Sequence, residues 1–183
     1  MAAHRFSSTT LSGAAGALLA PLLAAWLGAT LAVWWAATGT FEALSASRNP
    51  GLAQRLDPID PPRREAFLRF AAGEVNRRMF RGWARAQAIL AVLALSAVWV
   101  VPPGRRRKWR RTCLVLLALL AAIQALWLSP EIERLGLLLD RAREEGTLRK
   151  FGLLHAAFSV TDLAKAALLG AGIWLASKRE ISV

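Results

Sequence analysis

Four polar residues near the C-terminus, His155, Ser159, Asp162 and Lys165, have the types and the spacing to do chemistry. Counted from His155 they fall at offsets of four, seven and ten, which places them along one stripe of an α-helix. The stretch around them, residues 151–176, is otherwise apolar and long enough to cross a bilayer. A lone charge at the bilayer centre costs roughly 3 kcal/mol on insertion scales and more on others. Opposite charges at i, i+3 lower that cost, and a polar partner from another helix lowers it further. Arg85, Gln87 and Gln124 are the candidate partners. In one reading the stripe is a polar path or binding pocket facing a bundle interior. In another, Asp162 and Lys165 form a structural ion pair that fixes helix packing, with Lys165 snorkelling toward one surface. A third reading lifts part of this helix above the membrane, where such a pair is ordinary.

Other chemistry is sparse. Cys113 is the single cysteine, so no internal disulfide is available, and on an apolar helix it reads as a small hydrophobe. Only His4, His155, Met1 and Met79 remain as soft ligands, too few and too scattered for an intrachain metal or bis-histidine haem site. No cofactor is predicted; His155 is the one residue that could serve a pigment or haem as an axial ligand. No nucleotide loop, catalytic triad, zinc motif or paired-carboxylate spacing stands out. The sequence therefore reads as a non-enzyme, with His155 beside Asp162 or Glu74 the best set an intramembrane enzyme could use.

The elements that would position these residues follow from the apolar blocks. Hydrophobic residues make up 55% of the 183-residue chain and are gathered into long runs. The expected fold is an all-α membrane protein, one domain over residues 1–183, built as a four-helix transmembrane bundle. Its spans are about 14–37, 83–101, 112–128 and 151–176. Residues 14–37 carry no charge and exceed the apolar core of a signal peptide, so a retained helix is expected, with Pro21 a candidate kink.

The loop 38–82 contains an amphipathic helix. Asp60-Pro61-Pro62 looks like its start, and Leu68, Ala72, Val75, Met79 and Trp83 recur at helical spacing. It could run unbroken into the second span, with Gly73 and Gly82 as candidate breaks. A shorter amphipathic helix is expected in the third loop, where Ser129-Pro130-Glu131 reads as a cap, a first-turn proline and a first-turn acid.

Charge sets the expected sides. The formal net charge is +12, but the cations cluster at the ends of apolar blocks, which points to anionic lipid and away from nucleic acid. Arg105, Arg106, Arg107, Lys108, Arg110 and Arg111 crowd the turn between the second and third spans. With Arg5, Lys178 and Arg179 they mark the cytoplasmic side, and ten of the twelve acids fall on the other. The first loop has eight arginines of its own, spread over a longer segment. Trp34, Trp35, Trp83 and Trp127 are expected at outer ends of spans and Trp99, Trp109 and Trp174 at inner ends, with Trp26 mid-span.

The segments 71–80 (AAGEVNRRMF) and 129–159, the latter with Ser129-Pro130-Glu131-Ile132, Phe151, Leu154, His155 and Ser159, resemble a known family. They are similar to the small four-helix membrane proteins of domain-of-unknown-function family 4149, bacterial relatives of eukaryotic transmembrane protein 205. The similarity covers roughly residues 65–176. It implies a four-helix architecture with a histidine at the start of the last helix, here His155. The family usually has an amide further along that helix, where this sequence has Asp162. The end of the first helix, TGTFEALSASRNP, also departs from the apolar, proline-containing pattern. The resemblance brings no biochemical activity with it.

The expected function is a non-catalytic integral membrane protein, a scaffold or accessory subunit of a larger membrane complex. The alternative is a small transporter or permeability factor using the stripe on the fourth helix. The expected partners are the bilayer, anionic lipids and other membrane subunits or a second copy. The arginine-rich, Ala- and Leu-rich composition suggests a bacterial cytoplasmic membrane, with both termini inside.

Overall fold

The computed structural model describes residues 8–100 and 106–177, with side chains from Leu18 to Ala97 and from Arg106 onward. The expectations placed on Arg5, Arg105, Lys178, Arg179 and the Trp99 side chain lie outside the described residues. Among the described residues every regular element is helical.

The first helix, α1 (Ser8–Ala43), is a single apolar rod that runs through Pro21. It ends where Glu42, Ser45 and Ser47 bring polarity back. Asn49 then starts α2 (Pro50–Arg55): its side chain accepts from Leu52 N at 3.2 Å, and Pro50 fills the first turn. This short helix falls within the expected loop 38–82, where Asn49-Pro50 is a local N-cap signal.

α3 (Pro61–Val100) begins with Arg64 N donating to Asp60 O at 2.9 Å. It passes through Gly73 and Gly82 without a break and is about 60 Å long at 1.5 Å per residue. The amphipathic helix of the first loop and the second apolar segment are thus one element. One stripe holds it together: Leu68, Ala72, Asn76, Trp83, Gln87, Ala91 and Ala94 are all buried.

The next rod corrects an expected boundary. α4 (Arg107–Ile123) does not end before Ser129; a widened π-turn, Gln124–Leu128, leads straight into α5 (Ser129–Arg141). Leu128, just before Ser129, keeps helical angles and no side chain caps this junction. Pro130 has no N–H, and its ring crowds the carbonyl four residues back. The wider turn just before it absorbs that crowding, so Ser-Pro-Glu sits inside a continuous helix.

After residues 142–144, α6 (Glu145–Ser177) completes the chain. It packs against α1, α4 and α5; α3 packs against α1, α4 and α5. The four long rods α1, α3, α4 and α6 therefore close a ring. Leu19, Leu23 and Trp26 of α1, Ala91 and Ala94 of α3, Leu114, Leu117 and Ala121 of α4 and Leu169 of α6 fill its centre. Small residues let the rods approach: a Cβ at Gly172 would lie only 2.9 Å from Leu23 Cδ1 and 3.5 Å from Cys113 Sγ. Near the end that bears the basic turn, Arg110 Nη2 donates to Leu175 O at 2.9 Å and Cys113 Sγ to Leu168 O at 3.1 Å.

The outward faces are apolar. Leu31, Ile89, Val92, Val115, Leu119, Val160 and Leu163 are exposed. Leu18–Ala43, Arg107–Arg141 and Glu145–Ser177 are each long and apolar enough to cross a membrane, and the chain is a multi-pass membrane protein. Trp35, Trp109, Trp127 and Trp174 are exposed, as residues of an interfacial belt would be. Trp34 and Trp83 are not part of such a belt. Both turn inward, toward the ion pair described next.

Candidate functional site

The centre of the ring holds a compact polar node. Lys165 of α6 is fully buried, and Asp162 one turn earlier is 1% exposed. Lys165 Nζ donates to Asp162 Oδ1 at 2.5 Å, to Gln124 Oε1 at 2.7 Å and to Gln87 Oε1. Gln124 Nε2 returns a bond to Asp162 Oδ1 at 2.9 Å and another to Thr161 Oγ1 at 3.0 Å. The second carboxylate oxygen accepts from Trp34 Nε1 at 2.5 Å. The Trp83 ring lies 5.9 Å from the ammonium, close enough for a cation–π contact.

Each long rod contributes to the node: Trp34 from α1, Gln87 and Trp83 from α3, Gln124 from the end of α4, and the ion pair from α6. The π-turn begins at Gln124, so the irregular backbone starts where that amide reaches across to Asp162. Lys165 lies ten residues before Leu175, about 15 Å along the helix from the level of the Arg110–Leu175 hydrogen bond.

The arrangement uses up its own valences. An ammonium has three protons, and Lys165 has three oxygen acceptors. Charge in a low-dielectric setting is thereby matched at short range, the only condition under which burying it is tolerable.

Of the residues singled out by spacing, Asp162 and Lys165 form the pair, and Gln87 and Gln124 are its partners. Arg85 is not; it is exposed, two residues and so about 200° around α3 from Gln87. Ser159 also drops out, exposed and donating to His155 O at 3.0 Å. The buried stripe of α6 is Phe158, Asp162, Lys165, Leu169 and Gly172. The node also takes in Trp34 and Trp83, expected at the outer ends of spans, and Thr161, which no spacing marks. An indole at the end of an apolar run reads as an interfacial residue, and nothing local distinguishes one that turns inward.

His155 belongs to a second feature, a cleft of about 600 Å³ at the end of the ring opposite the basic turn. It lies between the end of α1, the first half of α3, α5 and the start of α6. His155 stacks on Phe151 with ring centroids 6.0 Å apart, and Phe80 meets Phe158 edge-on at 5.6 Å. Phe158 lines the cleft; neither Asp162 nor Lys165 does.

One wall is an arginine held in a glycine slot. A Cβ at Gly73 would come within 3.3 Å of the Arg77 guanidinium, and one at Gly136 within 3.7 Å. From there Arg77 bridges Glu74 on its own helix and Asp140 on α5, at 3.2 and 2.9 Å. Hydrogen bonds from Arg78, and then Arg77, hold the Glu74 carboxyl below its ordinary pKa. Arg77 Nη2 and Asn76 Oδ1 are buried with no hydrogen-bond partner.

No curated protein and no solved structure matches the chain. A family model does, over a stretch that includes Arg77, Gln87 and Gln124 and stops before the ion pair. Residues 63–137, from the start of α3 into α5, match the model of a domain of unknown function, DUF4149, the family that segments 71–80 and 129–159 resemble.

Proposed function

We propose that the protein is a non-catalytic, four-span membrane protein that acts as a scaffold or accessory subunit of a larger membrane assembly. The observation that carries this reading is the saturation of the central node. All three protons of Lys165 are bound to side chains of the same chain. A carrier that moved a substrate along this stripe would have to break that ion pair in hydrocarbon in every cycle. The outward apolar faces of α3, α4 and α6 supply the surface that lipid or neighbouring helices would cover.

In this reading the second half of α3, from Trp83, is the fourth span, lying between α1 and α4. The basic turn and both termini face the cytoplasm of a bacterial cell, because cationic loops are retained on that side. A cysteine in place of Lys108, in a Cys113→Ala background, should resist an impermeant maleimide until cells are permeabilised, while Arg55→Cys should label at once. The opposite pattern would invert the assignment of sides.

The functional claim is tested by extraction from native membranes in a mild detergent. Other membrane subunits should co-purify in fixed ratio, and the visible spectrum of the sample should be featureless. A lone monomer or homodimer refutes the subunit reading, and a visible band lost in His155→Ala would replace it with a pigment or haem carrier.

A further inference from the structure

The 600 Å³ cleft has a two-sided chemistry that the central node does not explain. Its inner part is aromatic and aliphatic, with Phe80, Phe151 and Phe158 among the lining residues. Its polar part is cationic: Arg69, Arg77, Arg81 and Arg143 line it, against the acids Glu133 and Asp140. Both acids are engaged, Asp140 by Arg77 at 2.9 Å and Glu133 by Arg81 at 3.6 Å. Arg69 and Arg143 have no carboxylate partner among the described residues. An apolar floor under surplus positive charge complements a molecule with a hydrocarbon body and an anionic head.

The volume is that of an ordinary small-molecule site, which runs from about 300 to 1,000 Å³. It fits part of one lipid and is too small for a helix or strand of a partner protein. The position agrees. The cleft lies just beyond the apolar part of α1, where Thr38 and Phe41 line it. Guanidinium groups suit phosphate and carboxylate through their forked donors.

We infer that this cleft is a binding site for an anionic membrane amphiphile, its hydrocarbon against Phe80, Phe151 and Phe158 and its head group at Arg69 and Arg143. The site is separate from the basic turn, which lies at the other end of the ring, and it stands whether or not the protein is a subunit of a larger assembly.

The test is native mass spectrometry of the full chain released from phosphatidylcholine vesicles doped with phosphatidylglycerol. Retained phosphatidylglycerol is the readout. Two variants attack the two halves of the site: Ala66→Trp fills the cleft without changing charge, and Arg69→Gln with Arg143→Gln removes the head-group cations. The double glutamine variant should weaken retention roughly thirtyfold, the size expected for two surface cations, and Ala66→Trp should abolish it. Arg55→Gln with Arg63→Gln removes as much charge from exposed positions outside the cleft and should leave retention unchanged. Undiminished retention in Ala66→Trp would overturn the proposal, because binding would then be general surface electrostatics. So would equal retention of the two lipids, or competition by inorganic phosphate alone, which would mean a free-anion site with no place for a hydrocarbon chain.

Discussion

Replacing Lys165 by glutamine is expected to destabilise the folded protein by about 3–5 kcal/mol, the range for breaking a buried pair by removing one partner. Hydrogen bonding does not account for a loss of that size. Interhelical hydrogen bonds within membranes average about 0.6 kcal/mol, because the separated helices also find partners. The glutamine amide moreover still offers donors to Gln87 and Gln124. The cost comes from the Asp162 carboxylate, left in the ring centre without its cation. Asp162→Asn should be similarly damaging for the mirror reason, with an added loss: its amide can turn N–H toward Trp34 Nε1, which is itself a donor. Thermal unfolding in one detergent, followed by circular dichroism, reads both effects. A midpoint within error of the wild type for either variant would remove the ion pair from the account of stability.

Gly172→Leu should be nearly as disruptive, by steric force alone. Its Cβ would be 2.9 Å from Leu23 Cδ1, and the rest of the leucine would enter the same buried seam, where Leu23 is fully buried. Overpacking of this kind costs about 1–3 kcal/mol, sometimes more, as neighbours leave their rotamers or helices part. The strain falls on the α1–α6 seam, and the Trp34–Asp162 bond crosses that same seam farther along. Gly172→Ala should cost less, because only the end of one side chain must give. Gly170→Leu should cost almost nothing, since no atom lies within 4 Å of a Cβ there. The order Gly170→Leu, Gly172→Ala, Gly172→Leu in falling midpoint is the expected result; equal midpoints for the two leucine variants would contradict the close approach.

The two variants also show how far the sequence was legible. Charges in an apolar run carry a cost that must be met nearby, so Asp162 and Lys165 stood out at i, i+3, and Gln87 and Gln124 were recognisable as amides in otherwise apolar stretches. Rotation about the helix decided the failures. Arg85 is about 200° around α3 from Gln87, and Ser159 about 100° around α6 from Phe158, so neither could join the buried stripe. The inward turn of Trp34 and Trp83 depends on which helix stands opposite, which one chain segment does not encode. Ser129-Pro130-Glu131 carries the local chemistry of a helix start, yet the π-turn before it lets the helix continue. The glycine slot around Arg77 was hidden for the same reason, because Gly73 and Gly136 meet only when α3 and α5 pack.

The central claim is that Asp162 and Lys165 serve each other and thereby bind four helices into one body. A thermodynamic cycle in a single detergent tests it most directly, comparing the wild type, Asp162→Asn, Lys165→Gln and the double variant. Each single should unfold well below the wild type, and the double should recover more than half of the loss, since both charges are gone while amides still fill the node. A double variant whose loss equals the sum of the two singles would show that the charges act independently, and the ion pair would not be what locks the four helices together.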